Sequence, residues 1–347
     1  MKYSSRFFLY APLALFLTMA AGTGVYWWIA ANALSKELDA IQCHGNIDMQ
    51  EAVPGVCVGF ASKSISGFPF NLDVVFTDFS VSVKTPHGPS IWIAEKFALH
   101  ALTYGREQMI FEAAGHQSLG WTDLAHKRHT MPFEVGELHA SAIEGERGIS
   151  RIDFDLIGLG SPALTAGRIQ IHARVTPNGT AIELAAAADV VHLSPRLSSL
   201  FGDDIRQVRL NASLAPSRTF DGLRAGRTDW VDAAERWRTA NGQLDVSDLE
   251  ISWSQLSVMG KGALSLDASH AVQGLLDFKV AGIESLLATA ERHGVRGDSL
   301  HGIAPALLLR AAKAGNNEAG LLGAVVGFHA GIVSVGDVPA TTEEPLY

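Results

Sequence analysis

Two patterns of apolar and polar positions divide the chain. Residues 7–31 form a run of 25 residues without a charged side chain. At about 1.5 Å of rise per residue, a helix over this run is long enough to cross a hydrocarbon core of about 30 Å. Beyond the two cysteines, apolar and polar residues alternate with a period of two, which predicts antiparallel strands with one buried face.

The clearest alternation covers 167–176. Ile169, Ile171, Ala173 and Val175 lie on one predicted face, and Arg168, Gln170, His172, Arg174 and Thr176 lie on the other. Comparable patterns occur at 71–83, 91–102, 107–113, 133–142, 150–158, 181–190 and 206–214. Turn-forming residues separate these segments, so we expect a meander of sequential strands.

Three later segments have helical periodicity, namely 228–240, 283–293 and 302–314. Together with the strands they predict an α+β fold: a large, strongly curved antiparallel sheet with a few packed helices and an N-terminal transmembrane helix. Small residues are expected on inward positions, at Ala173, Ala185, Ala187 and Ala212. They leave room inside the sheet for either a helix or an acyl chain.

The charge pattern around the apolar run predicts four regions. Lys2 and Arg6 precede the run, so the positive-inside rule makes 1–6 a cytoplasmic tail and 7–31 the membrane anchor. Residues 32–66 then form a membrane-proximal segment that holds the cysteine pair, and 67–347 form a periplasmic β-rich domain. The expected location is a single pass through the inner membrane with most of the chain in the periplasm.

A cleavable signal peptide is the alternative interpretation of the apolar run. Ala31-Asn32-Ala33 fits an A-x-A cleavage site, although a signal peptide has an apolar core of only about 7–15 residues. The bulk of the chain is exported under either interpretation.

Net charge and cysteine content indicate which partners the protein can bind and whether it contains a disulfide. The chain has 27 Lys+Arg against 36 Asp+Glu, a net charge of −9, which argues against nucleic acid as a partner because such proteins need a basic face. Cys43 and Cys57 enclose a loop of 15 residues. In an oxidising compartment they are expected to form a structural disulfide.

No motif predicts catalysis, a cofactor or a metal. Gly158-Leu159-Gly160 lacks the third glycine of a dinucleotide loop, and His126 and His129 have no third ligand at a matching local spacing. Asp153 and Asp155 share a strand face but are expected to be solvated. We therefore expect a protein that is not an enzyme; a hydrolase would need a cluster around the two histidines that only the tertiary structure could assemble.

The segment Ser64-Ile65-Ser66-Gly67-Phe68-Pro69-Phe70-Asn71-Leu72, just after an anchor and a cysteine pair, resembles domain of unknown function 2125. The later segments GALSLD and QGLLDFKVAGIESLLATA resemble the C-terminal part of that family. The resemblance implies an anchored envelope protein of Gram-negative bacteria and supplies no catalytic residues. A weaker similarity to AsmA-like envelope proteins implies phospholipid transport through a β-lined groove.

These observations lead to two functional hypotheses. In the first, the protein binds lipid or another envelope component in an apolar trough, and Phe68, Pro69 and Phe70 form a lipid contact or gate. In the alternative, the protein is a non-catalytic structural or interaction module of an envelope complex, and the same three residues form a structural corner. Besides the membrane, the expected partners are lipid or envelope proteins.

Overall fold

The computed structural model describes residues 5–43, 53–85, 88–105, 107–123, 126–194, 202–283, 321–343 and 345–347. Helix α1 runs from Ser5 to Ile41, so the charge-free run and the residues that follow it form one continuous helix. Of the later predicted helices, α3 (Trp230–Thr239) lies within 228–240. The predicted helix 302–314, and all of 283–293 except its first residue, lie outside the described residues.

Sixteen strands of the described chain form one sheet. They are β1 (Val56–Gly59), β2 (Ser62–Ser66), β3 (Asn71–Thr85), β4 (Gly88–Leu102), β5 (Gln108–Thr122), β6 (Arg128–Gly145), β7 (Gly148–Gly160), β8 (Leu164–Val175), β9 (Ile182–Leu193), β10 (Asp204–Ala215), β11 (Gln243–Trp253), β12 (Leu256–Leu266), β13 (Val272–Ala281), β14 (Leu321–His329), β15 (Ile332–Val335) and β16 (Val338–Thr342). From β3 to β16 each strand pairs with the next along the chain, and β1 and β2 both pair with β3. The predicted antiparallel meander is confirmed.

Short helices between β10 and β11 show how strongly the sheet is curved. They are a 3-10 turn (Ser217–Phe220), α2 (Asp221–Arg224) and α3, which we call the bridging helices. Their Arg224 Nε donates a hydrogen bond to Ile149 O at 2.7 Å, at the start of β7. Just before α3, Asp229 lies against Gly55, next to the first strand. One segment therefore contacts both the first edge and the middle of the sheet.

The second part of α1 supplies much of the core. Its Ala30, Ala31, Leu34 and Leu38 are buried with apolar side chains from β3 to β8. Helix and strands pack because the helix stripe and the alternate strand positions are both apolar. The sheet interior is thus filled by a helix over its first strands, and that helix continues the apolar run at 7–31.

Candidate functional site

Helix α1 changes environment within one turn. Its side chains from Phe16 (68% exposed) to Ile29 (54% exposed) are mostly solvent-accessible, whereas Ala30 and Ala31 are 8% exposed. Among the described residues, α1 is the one helix long and apolar enough to cross a membrane, a test that a signal sequence also passes. The helix therefore combines an exposed apolar segment with a segment that packs in the core.

The predicted contact residues Phe68, Pro69 and Phe70 lie where these two segments meet. The ring of Phe68 packs edge-on against Trp27, with the ring centroids 5.8 Å apart. Trp27 Nε1 donates a hydrogen bond to Asn71 O at 2.8 Å. Phe68 and Phe70 are 59% and 62% exposed, so neither ring is used to fill the core.

A third aromatic residue joins them through strand pairing. Thr103 N donates to Phe70 O at 2.9 Å, and Tyr26 Oη donates to Thr103 O at 2.9 Å. The adjacent Tyr104 is 71% exposed. We call Phe68, Phe70 and Tyr104 the aromatic collar. Sequence reasoning missed Tyr104 because the attachment of its neighbour Thr103 to Phe70 depends on the pairing of β3 with β4.

The two cysteines form the expected disulfide, between Cys43 and Cys57. Next to it, Cys43 N donates to Val58 O at 2.9 Å and Gln42 Nε2 donates to Phe60 O at 2.8 Å. These contacts attach the chain at the end of α1 to β1. The Cα atoms of the two cysteines are 5.7 Å apart. The disulfide thus links the chain just after the buried part of α1 to β1.

The sheet face that contacts α1, which we call the inner face, stays apolar well beyond the helix. The strand register places on it Ile152, Phe154 and Leu156 of β7; Ile169, Ile171, Ala173 and Val175 of β8; Ile182, Leu184, Ala186 and Ala188 of β9; Val208, Leu210, Ala212 and Leu214 of β10; and Leu244, Val246, Leu249 and Ile251 of β11. No charged or hydrogen-bonding side chain occurs at these positions.

Buried clusters cover the two ends of this face. One contains α1 with β3 to β8, and two others involve strands from β11 to β16. Within the described chain, the inner-face residues of β9 and β10 belong to none of these clusters. Ile171, on the neighbouring β8, is 47% exposed. We call the inner face of β8, β9 and β10 the apolar trough.

The register corrects one sequence expectation. Ala185 pairs with His172 and Asn211, and Ala187 pairs with Gln170 and Arg209, so both alanines lie on the outer, polar face. The inward small residues of β9 are Ala186 and Ala188. A run of four alanines has no hydrophobic contrast, and the neighbouring strands decide which of them point inward.

The two carboxylates considered for acid–base chemistry are engaged in ion pairs on the outer face. Burial raises the pKa of Asp153, but hydrogen bonds from Arg151 and His172 outweigh it and leave this pKa below its usual value. Hydrogen bonds from Arg168, one of them 2.8 Å long, lower the pKa of Asp155. Both groups are therefore paired with basic side chains, Asp153 with one on its own strand and one on β8, and Asp155 with one on β8.

The histidines considered as ligands are not brought together. His129 Nε2 lies 2.6 Å from Asp123 Oδ2, and its ring stacks on Trp121. His126 occupies the turn before β6 with a positive φ of 57°. Nowhere in the described ranges do three or more His, Cys, Asp or Glu side chains come together as a group that could hold a metal ion.

A family model described as "Uncharacterized protein conserved in bacteria (DUF2125)" matches residues 27–342. The chain belongs to the DUF2125 family. The matched DUF2125 region begins at Trp27, where α1 meets the aromatic collar, and ends at the last residue of β16. It thus includes the buried part of α1 together with the whole sheet. Among curated proteins, none matches this chain.

Proposed function

We propose that this DUF2125 protein is a single-pass inner-membrane protein whose periplasmic sheet binds lipid acyl chains in the apolar trough, without catalysis. The observation that carries the proposal is the trough itself, where Ile171 is 47% exposed and the described inner-face residues of β9 and β10 lie outside the buried clusters. A single monomeric soluble domain seldom keeps such a surface without a partner of the same chemistry.

The membrane part of the proposal rests on α1. Side chains such as Leu17 and Trp28 are 57% and 64% exposed, which is unfavourable in water and favourable in a hydrocarbon layer. Cleavage after Ala33 would remove Trp27 and Ala30 from their contacts with the sheet. This favours an anchor that stays attached to the domain, with Lys2 and Arg6 on the cytoplasmic side.

The choice of an acyl chain as ligand rests on what the trough lacks. Its side chains offer no hydrogen bond, so a polar ligand group placed there would lose its hydration without compensation. An acyl chain has no such requirement, and Ala186 and Ala188 are the smallest side chains on the inner face of β9. A polar headgroup would remain outside the trough.

A matched pair of variants on β9 tests lipid binding. Full-length protein is purified in mild detergent, and bound phospholipid is measured by native mass spectrometry and by lipid extraction. Ala186→Trp places a large side chain in the trough, whereas Ala187→Trp places the same side chain on the outer face one residue away. We expect the first variant to lose most of its bound phospholipid and the second to retain the wild-type amount.

The adjacent control separates trough lipid from lipid that surrounds the anchor, because both variants keep α1 unchanged. Equal phospholipid in the two variants, or none in the wild type, would refute the trough as a lipid site. The alternative, an interaction module of an envelope complex, would then be favoured, since α1 already fills the inner face over β3 to β8.

A further inference from the structure

We infer that the aromatic collar sits in the interfacial layer of the bilayer that α1 crosses, so that this end of the sheet rests directly on the membrane. The inference rests on the membrane anchoring proposed above. It names the bilayer surface as the partner of three side chains that the fold exposes. It also adds Tyr104, which lies in the turn after β4, to the contact surface.

The position of the collar along the axis of α1 supports this inference. The charge-free run starts at residue 7, and about 20 helical residues cross the hydrocarbon core, which puts the membrane boundary near residue 26. A Cβ at Gly24 would lie 3.9 Å from the ring of Phe68. Phe68 therefore reaches the last helical turn before that boundary.

Two hydrogen bonds from α1 hold the collar segments next to residues 26 and 27 of the helix. Trp27 Nε1 donates to Asn71 O, and Tyr26 Oη donates to Thr103 O. The first attaches the strand that follows Phe70 to the helix, and the second attaches the residue before Tyr104. If α1 spans the membrane, both collar segments are held at the interface.

The chemistry of the collar fits that layer. Its segments, 66–71 and 102–105, contain no charged residue. Tyr and Trp rings are enriched at membrane interfaces because one end of the ring is apolar and the other is polar. Trp28, the residue after Trp27 on α1, is 64% exposed and adds a further aromatic side chain at the same level of the helix.

Photo-crosslinking in a defined bilayer tests this placement. Full-length protein carrying benzoylphenylalanine at Phe70, at Tyr104 or at Leu275 is reconstituted into vesicles of phosphatidylethanolamine and phosphatidylglycerol. Leu275 is a matched control, since it is an apolar side chain of 59% exposure on β13, far along the sheet from α1. We expect lipid adducts at positions 70 and 104 to be several-fold more abundant than at 275.

Flotation of the same vesicles separates this inference from the proposed anchoring. Protein that floats with the vesicles but forms no more adduct at 70 and 104 than at 275 would overturn the collar placement and leave the anchor intact. Protein that does not float would overturn the anchoring and the collar together. Two collar positions are used so that a fault in one variant does not decide the outcome.

Discussion

Trp230 Nε1 donates a hydrogen bond of 3.2 Å to Lys84 O, joining two residues 146 positions apart in the sequence. Lys84 is near the end of β3, while Trp230 begins the helix that follows β10. In a flat meander these two strand ends would point in opposite directions. Adjacent strands rotate by about 20–25°, so the seven pairings from β3 to β10 add up to roughly half a turn. This twist, together with the part of the bridging helices between Ala215 and Trp230, allows the two residues to meet.

The packing of α3, the last of the bridging helices, requires a glycine at position 242. A Cβ at Gly242 would clash with the ring of Trp237, which is buried and donates to Ala215 O at 2.8 Å. We expect Gly242→Ala to lower the free energy of unfolding by about 1–3 kcal/mol, as overpacking does. The control is Gly160→Ala, where no atom lies within 4 Å. Urea unfolding of the full chain in detergent compares them, and equal midpoints would contradict the prediction.

The core and the collar contain phenylalanines with opposite roles. Phe76 on β3 is 2% exposed and packs against Phe60 and Phe79, at centroid distances of 5.1 and 5.3 Å. We expect Phe76→Ala to cost about 3–5 kcal/mol of stability, whereas Phe70→Ala changes it by less than about 0.5 kcal/mol because the side chain is exposed. Chemical unfolding measures both. A large loss in Phe70→Ala would assign Phe70 to the core instead of the collar.

The disulfide is expected to stabilise the junction between α1 and β1. A loop of 15 residues closed by Cys43 and Cys57 contributes about 3 kcal/mol in the chain-entropy description. Addition of dithiothreitol should lower the thermal midpoint of the wild type. In a variant with Cys43→Ser and Cys57→Ser the reductant should have no effect, and a decrease there as well would show that the disulfide is not the cause.

The C-terminal tyrosine should titrate unusually late. Burial, followed by the hydrogen bond to Glu235, raises the pKa of Tyr347 to about 12 from 10.0. Because the folded-state pKa is raised, the neutral phenol contributes stability that is complete below pH 10 and lost as pH rises from 10 to 12. The phenolate absorbance of the wild type minus that of Tyr347→Phe measures this pKa, and Glu235→Gln should lower it. An unshifted titration would place Tyr347 in solvent.

Glu235, which accepts the hydrogen bond from Tyr347, should make stability depend on pH in the acidic range. Hydrogen bonds from Arg238 and then Tyr347 lower the pKa of Glu235 to about 2 from 4.5. A depressed pKa stabilises the fold above the unfolded value, so this contribution should be lost as pH falls from 4.5 towards 2. Tyr347 stacks on His270 and meets Trp230 edge-on, so Trp fluorescence should report the release. A fluorescence change of equal size in Glu235→Gln would rule out Glu235 as its cause.

The sequence by itself determined the features that depend on neighbouring residues. The charge-free run gave the long apolar helix, the period-two alternation gave the antiparallel strands and the outward face of Asp153, and the short spacing of Cys43 and Cys57 gave their pairing. Each is a property of a few consecutive side chains and their preference for water or for an apolar layer. Such preferences can be recognised in the sequence without knowing which strand or helix packs against the segment.

Only the tertiary structure decided the features that depend on distant residues. The register of β9 put Ala186 inside and Ala187 outside, strand pairing joined Thr103, the residue before Tyr104, to Phe70, and the curvature brought Trp230 to Lys84. It also showed that the second part of α1 fills the first part of the sheet interior. These relationships follow from accumulated twist and cross-strand register, and no local hydrophobic pattern encodes either quantity.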